Sequence, residues 1–128
     1  MVYLFLLGRI LLGGYFIMSG YNHFKNHAGL TSYTQSKGVP MASEAVWSTG
    51  LMLVLGGAGI LLGIYIQLSV FLLAVFLIVT TFKMHQYWKV TDQMAKMGES
   101  VNFKKNLALL GAVLMLLSIS LPWAMALF

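Results

Sequence analysis

Cysteine is missing from the 128 residues, and charge is scarce: only 9% of positions are charged, and three of those are carboxylates. Without cysteine the chain has no disulfide framework, no thiolate metal site and no thiol–disulfide relay of its own. A globular domain carries about 25% charged residues, so a soluble fold is excluded as well. Proline is limited to two positions. No Walker loop, metal-ligand spacing, paired carboxylates or nucleophile–base pattern is found, so no metal site and no catalytic residue is expected. A basic n-region and a small-residue cleavage site are also missing at the start, and the first apolar run therefore reads as a retained helix. No repeat or low-complexity tract stands out, and 1–128 is taken as a single transmembrane domain.

Apolar runs make up most of what is present. The chain is 59% hydrophobic, with a mean hydropathy of +0.85. Four runs reach the roughly 20 residues that cross a bilayer, at about 2–24, 45–66, 67–88 and 107–128. Lipid leaves no partner for open backbone, so these runs are helices. The fold class expected is an all-α integral membrane four-helix bundle, up-down-up-down, with the second and third spans as a tight hairpin.

All seven lysines sit in or beside the first and third connections. The positive-inside rule then puts both long connections in the cytoplasm and both termini outside. Aromatic residues mark the same boundaries, with Tyr21, Trp47, Tyr87 and Trp88 at one interface and Tyr3, Tyr65, Trp123 and Phe128 at the other. The net charge of +5 points to an anionic leaflet rather than to nucleic acid, because the lysines flank spans. In the first connection Leu30 and Tyr33 share a face of a short helix, His27 is solvated, and Ser43 caps the second span with Glu44 placed on its dipole. In the third, residues 92–98 form a helical turn or two with an Asp92–Lys96 pair and Met94 and Met97 turned to the interface, and Asn102 caps the last span.

Arg9 is the one full charge well inside a span, a costly position that ordinarily faces a bundle interior. At about 100° per residue, Arg9, Gly13, Phe16, Gly20 and His23 form one stripe. Glu44, Asp92 and Glu99 all lie toward the other side, which leaves Gln67, Tyr65, Ser118, Ser120 or a bound anion as its partners. His23 and His85 close the first and third spans. Helical stripes through Gln67, Ala74, Ile78, Thr81 and His85, and through Asn106, Val113, Leu117, Ser120 and Ala124, turn inward and bring His23, His85 and Asn106 to one depth. Such a group suits a quinone head; haem ligation by two histidines is the disfavoured reading, because histidines at span ends are ordinarily satisfied by water and headgroups. Gly56, Gly59 and Gly63 form a stripe with one GxxxG, a sign of close packing within the bundle or between protomers. The nine methionines are gap-filling or lipid-facing.

The order of these pieces resembles the DoxX family of small four-span membrane proteins. The resemblance is carried by Leu7-Gly8-Arg9-Ile10-Leu11-Leu12-Gly13, Gly20-Tyr21-Asn22-His23-Phe24, Ser36-Lys37-Gly38-Val39-Pro40, Gly56-Gly57 with Leu62-Gly63, His85, and the run from Asn102-Phe103-Lys104-Lys105-Asn106 to Gly111. It implies the inner or cell membrane of a bacterium or archaeon and an association with redox systems, as a subunit of quinone-linked oxidation or a partner of oxidative-stress proteins. Many members carry a glutamate before the paired glycines, where this chain reads Leu51-Met52-Leu53-Val54-Leu55, and an arginine common to members is replaced near Gln67. Loss of that acid counts against proton-coupled quinone chemistry. Three functions follow: an accessory subunit of a membrane redox system without independent catalysis, an amphiphile- or lipid-binding or transport module with Arg9 as head anchor, and a homo-oligomer built on the glycine stripe.

Overall fold

A computed structural model describes residues 1–126. Leu127 and Phe128, and with them the last two positions of the predicted fourth span and the Phe128 belt position, lie outside the described residues. The elements are α1 (Val2–Lys25), α2 (His27–Ser36), α3 (Ala42–Leu62), α4 (Ile66–Met84) and α5 (Gln93–Met115), with single 3₁₀ turns at Tyr87–Lys89 and Leu116–Ser118. Four of the helices are long and apolar enough to cross a membrane, and among the described residues there is no strand. The chain is a multi-pass membrane protein with a four-helix bundle.

α1 and α3 run antiparallel and nearly touch through glycine. A Cβ added at Gly13 would lie 2.7 Å from the Gly57 carbonyl oxygen, and one at Gly57 the same distance from the Gly13 oxygen. One turn-pair further on, a Cβ at Gly20 would lie 2.7 Å from the Gly50 oxygen. Without a hydrophobic drive between helices in lipid, such close backbone approach is what supplies dispersion energy. The other glycines of α3 face α4: a Cβ at Gly56 would meet Leu73 and one at Gly59 would collide with Ser69. The GxxxG stripe is therefore occupied inside the chain. α3 ends at Gly63, whose φ of +75° is the left-handed cap that glycine allows. Phe16, Leu53, Ile60, Leu73, Leu77 and Val113 form the centre of the core.

Several boundaries differ from the predicted ones. α3 starts at Ala42 with Met41 before it, and Ser43 lies in the first turn beside His27 instead of capping; Glu44 does sit in that first turn. His27 is half-buried rather than fully solvated: its ring stacks on Trp47 at 4.1 Å and its Nε2 donates to the Ser43 carbonyl at 3.0 Å. The fourth spanning helix, α5, begins at Gln93, not 107. Asp92 caps it by accepting the Ala95 amide at 2.9 Å instead of pairing with Lys96, and the helix passes through Asn102 unbroken.

The same helix stops at Met115, well short of 128. Ser118 Oγ donates back to the Met115 carbonyl at 2.7 Å, a local bond that competes with the helix. Pro122 lacks the amide a further turn requires and restricts the residue before it. The tail folds back toward α1 and α3, and Trp123 lies in the core, 3% exposed, rather than in an interfacial belt. Leu117, Ser120 and Ala124 consequently do not continue an inward helical stripe.

Candidate functional site

The lysine-rich end of the bundle holds a cavity of about 490 Å³, within the range of ~300–1,000 Å³ typical of small-molecule sites. α1 contributes Tyr15, Ser19, Asn22 and His23; α5 contributes Asn102, Lys105 and Asn106. Thr49 of α3, with Phe76, Lys83 and His85 of α4 and its end, complete the membrane-side wall, and Leu30 and Tyr33 of α2 reach in from the connection.

Behind the wall stands a carboxylate, Glu99, which does not line the cavity but holds two residues that do, Tyr33 and His85. His85 follows the last residue of α4, where the helix opens, and its Nδ1 donates to Glu99 Oε2 at 2.8 Å. Tyr33 Oη donates to the other oxygen, Glu99 Oε1, at 2.6 Å, and Lys37 Nζ lies 3.9 Å from Oε2. Lys37 also stands over the Tyr33 ring, 5.3 Å from its centroid. Burial, together with the adjacent Glu99, raises the Tyr33 pKa above the ordinary tyrosine value, so the hydroxyl remains a donor. A histidine held by a carboxylate at Nδ1 has its tautomer and ring orientation set, which leaves Nε2 for other work. His23 is fixed by a different bond, Nδ1 to the Ser19 carbonyl at 2.8 Å, and its ring meets Phe76 edge-on. Asn106 is buried on the same wall.

The structure thus places His23, His85 and Asn106 on one cavity, and separates them from Gln67 and Arg9. The buried face of α4 is Ile66, Ser69, Val70, Leu73, Leu77, Thr81 and Met84. Gln67 falls off that face and is exposed, lining a mostly apolar crevice at the far end with Phe71, Leu114 and Leu121. Ile78 is exposed too, whereas Thr81 is buried and His85 lines the cavity, so the predicted α4 stripe holds at its lysine-side end and fails toward Gln67.

Arg9 is buried, 2% exposed, but not against the partners expected of it. Its Nε donates to the Ile60 carbonyl at 3.3 Å and its Nη2 to Leu61 at 2.9 Å, at the open C-terminal end of α3. Nη1 donates to Ala124 at 2.6 Å and Nη2 also to Met125 at 3.2 Å, both in the returning tail. The Phe5 and Trp123 rings flank the guanidinium, 5.6 and 5.7 Å from its carbon. Neither Gln67, Tyr65, Ser118 nor Ser120 takes part, and a guanidinium given to four carbonyls has little left for a ligand head.

Sequence reasoning missed Glu99, Tyr33 and Lys37. One signal was present: with three carboxylates in the whole chain, the one preceding the polar run at 102–106 had to be satisfied by something near the lysine-rich interface.

A family model described as DoxX matches residues 4–86. No curated protein and no solved structure matches the chain. The match spans α1 through α4 and His85, and ends before the run at 102–111 and before Glu99. It covers well over half of the sequence, and the chain belongs to the DoxX family.

Proposed function

We propose that this DoxX-family membrane protein is an accessory subunit of a quinone-linked redox system, holding the polar ring of a quinone in the lysine-end cavity without catalysing alone. The observation that carries the reading is the Glu99–His85 bond. The stretch of α3 before its paired glycines, Leu51 to Leu55, lacks an acid, but α5 supplies one from the other direction and sets it against a histidine on the cavity wall. A quinone ring presents two carbonyl acceptors, and Lys105 and Asn106 are donors on the wall of the space that such a ring fits; His85, with Nδ1 given to Glu99, offers Nε2 as an acceptor for a quinol hydroxyl. Bound, a quinone supplies two-electron, two-proton chemistry, and the electrons come from a partner protein. The chain's own part is to orient the ring, with Glu99 fixing the tautomer and orientation of the His85 imidazole on the cavity wall. The lysine-rich end then lies in the cytoplasm, where the positive-inside rule puts it.

A second reading is favoured by Lys83 and Lys105, the two charged side chains that line the cavity. They suit the head of an anionic amphiphile, a role that Arg9, tied to carbonyls, does not fill. A homo-oligomer built on Gly56, Gly59 and Gly63 is not favoured, because those residues face Leu73, Ser69 and Arg9 of the same chain.

The test is mass spectrometry of lipids extracted from the protein purified in mild detergent and resupplied with quinone. Near-equimolar quinone is expected. His85→Ala and Glu99→Leu should each reduce it about tenfold or more, the loss of one charge-assisted hydrogen bond or of the residue that orients it. Equimolar fatty acid in place of quinone would favour the second reading, and wild-type protein that retains neither would sink both.

A further inference from the structure

α1 packs along α3, and α5 along α4, yet α1 and α5 make no comparable helix pair. They stand on either side of the cavity: Tyr15, Ser19 and Asn22 form one edge, and Asn102, Lys105 and Asn106 form the other. Across the space between them the Lys105 amine lies 5.9 Å from the Tyr15 ring centroid. Tyr15 is 41% exposed. It precedes the end of α1 at Lys25 by ten residues, about 15 Å of helix, or half of a hydrocarbon core ~30 Å thick. The gap therefore opens sideways at bilayer depth, with hydroxyl, amide and ammonium groups along its edges. Lipid cannot satisfy such groups. A molecule with a polar head among them and an apolar tail in the gap can.

We propose that the gap between α1 and α5 is a lateral portal through which a tailed amphiphile passes from the bilayer into the cavity, with Tyr15 and Lys105 as its latch. The proposal rests on the cavity being a ligand site and adds the route and the form of the ligand: a polar head carried on a long apolar tail that stays in the portal. The latch suits the task. Its contact is a single cation–π pair at an exposed site, and the flexible lysine stem can swing its amine off the ring without moving the helix.

The lack of cysteine makes the route measurable. Thr49→Cys, or Thr80→Cys should the first fail to fold, puts one thiol on the cavity wall of protein held in lipid nanodiscs, where both faces meet water. A long-chain alkyl maleimide dissolved in the lipid should label that thiol, and a sulfonated maleimide in the water should do so at least about tenfold more slowly, because a fixed charge is penalised at hydrocarbon depth. Ser19→Trp, which fills the gap, should slow the lipid-borne reagent several-fold, and Lys105→Ala should speed it. Labelling by the water-borne reagent at an equal or faster rate, or a lipid-borne rate unmoved by Ser19→Trp, overturns the portal. Labelling as expected in a protein that retains no quinone would leave the portal standing and remove the quinone reading alone.

Discussion

Arg9→Leu is expected to cost on the order of 3–5 kcal/mol and to free the returning tail from the bundle. The four carbonyls that Arg9 serves are at the end of α3 and in residues 124–125, and the leucine offers them no donor. Hydrogen bonds to a charged group contribute about 1.5–3 kcal/mol each. Against this, leucine relieves the cost of placing a cation within the membrane, about 2.5–3.5 kcal/mol at a helix centre and less toward its end. The hydrogen-bond loss is the larger quantity, since four carbonyls lose their donor at once. Arg9→Lys should recover only a small part, because one compact ammonium cannot span carbonyls on two separate segments as a planar fork does. Thermal unfolding in detergent gives the stability, and cleavage near Trp123 by chymotrypsin reports the tail. An unchanged midpoint with a protected tail would show that Arg9 is not the tie between them.

That tie also marks where sequence reading reached its limit. The stripe of Arg9, Gly13, Phe16 and Gly20 is the buried face of α1, because a helix in lipid can place a charge and close-packing glycines on one side only. The apolar runs gave the number of spans for the same reason, because the bilayer penalises everything else, while the Trp123 belt position and the bounds of the fourth span were not legible. Arg9's partners were not legible, since backbone carbonyls carry no residue identity and the tail that brings Ala124 and Met125 back depends on where α5 stops. Hydropathy hid that stop. The run at 107–128 is apolar throughout, but helix and non-helical tail score alike when both are apolar, and only Ser118 and Pro122 mark the difference. Glu99 was hidden by the opposite error. Residues 93–106 are too polar to resemble a span, yet Asp92 caps a helix that runs straight from them into the bundle. That helix sets Glu99 against His85 across the 3₁₀ turn at Tyr87–Lys89.

Gly57→Leu is the second large effect expected, again on the order of 3–5 kcal/mol. A Cβ at Gly57 would lie 2.7 Å from the Gly13 carbonyl oxygen and 2.9 Å from the Ile17 amide nitrogen. Both are backbone atoms, so no rotamer change can yield, and α1 must move off α3. Inserting extra methylenes into a packed core already costs about 1–3 kcal/mol where side chains can adjust; here a whole leucine meets main chain. Gly14→Leu is the control, one residue from Gly13 on α1 but with nothing within 4 Å of its added Cβ, and it should be nearly neutral. The seam also holds Arg9, which reaches the Ile60 and Leu61 carbonyls only while α1 lies along α3. Spreading the helices at Gly57 breaks those bonds before any change is made at Arg9. The double variant Gly57→Leu/Arg9→Leu should therefore lose much less than the sum of its parts, the coupling expected of residues that share one contact. Additive losses in thermal unfolding would mean that the glycine seam and the arginine tie act independently, and that something other than α1–α3 contact holds the tail in place.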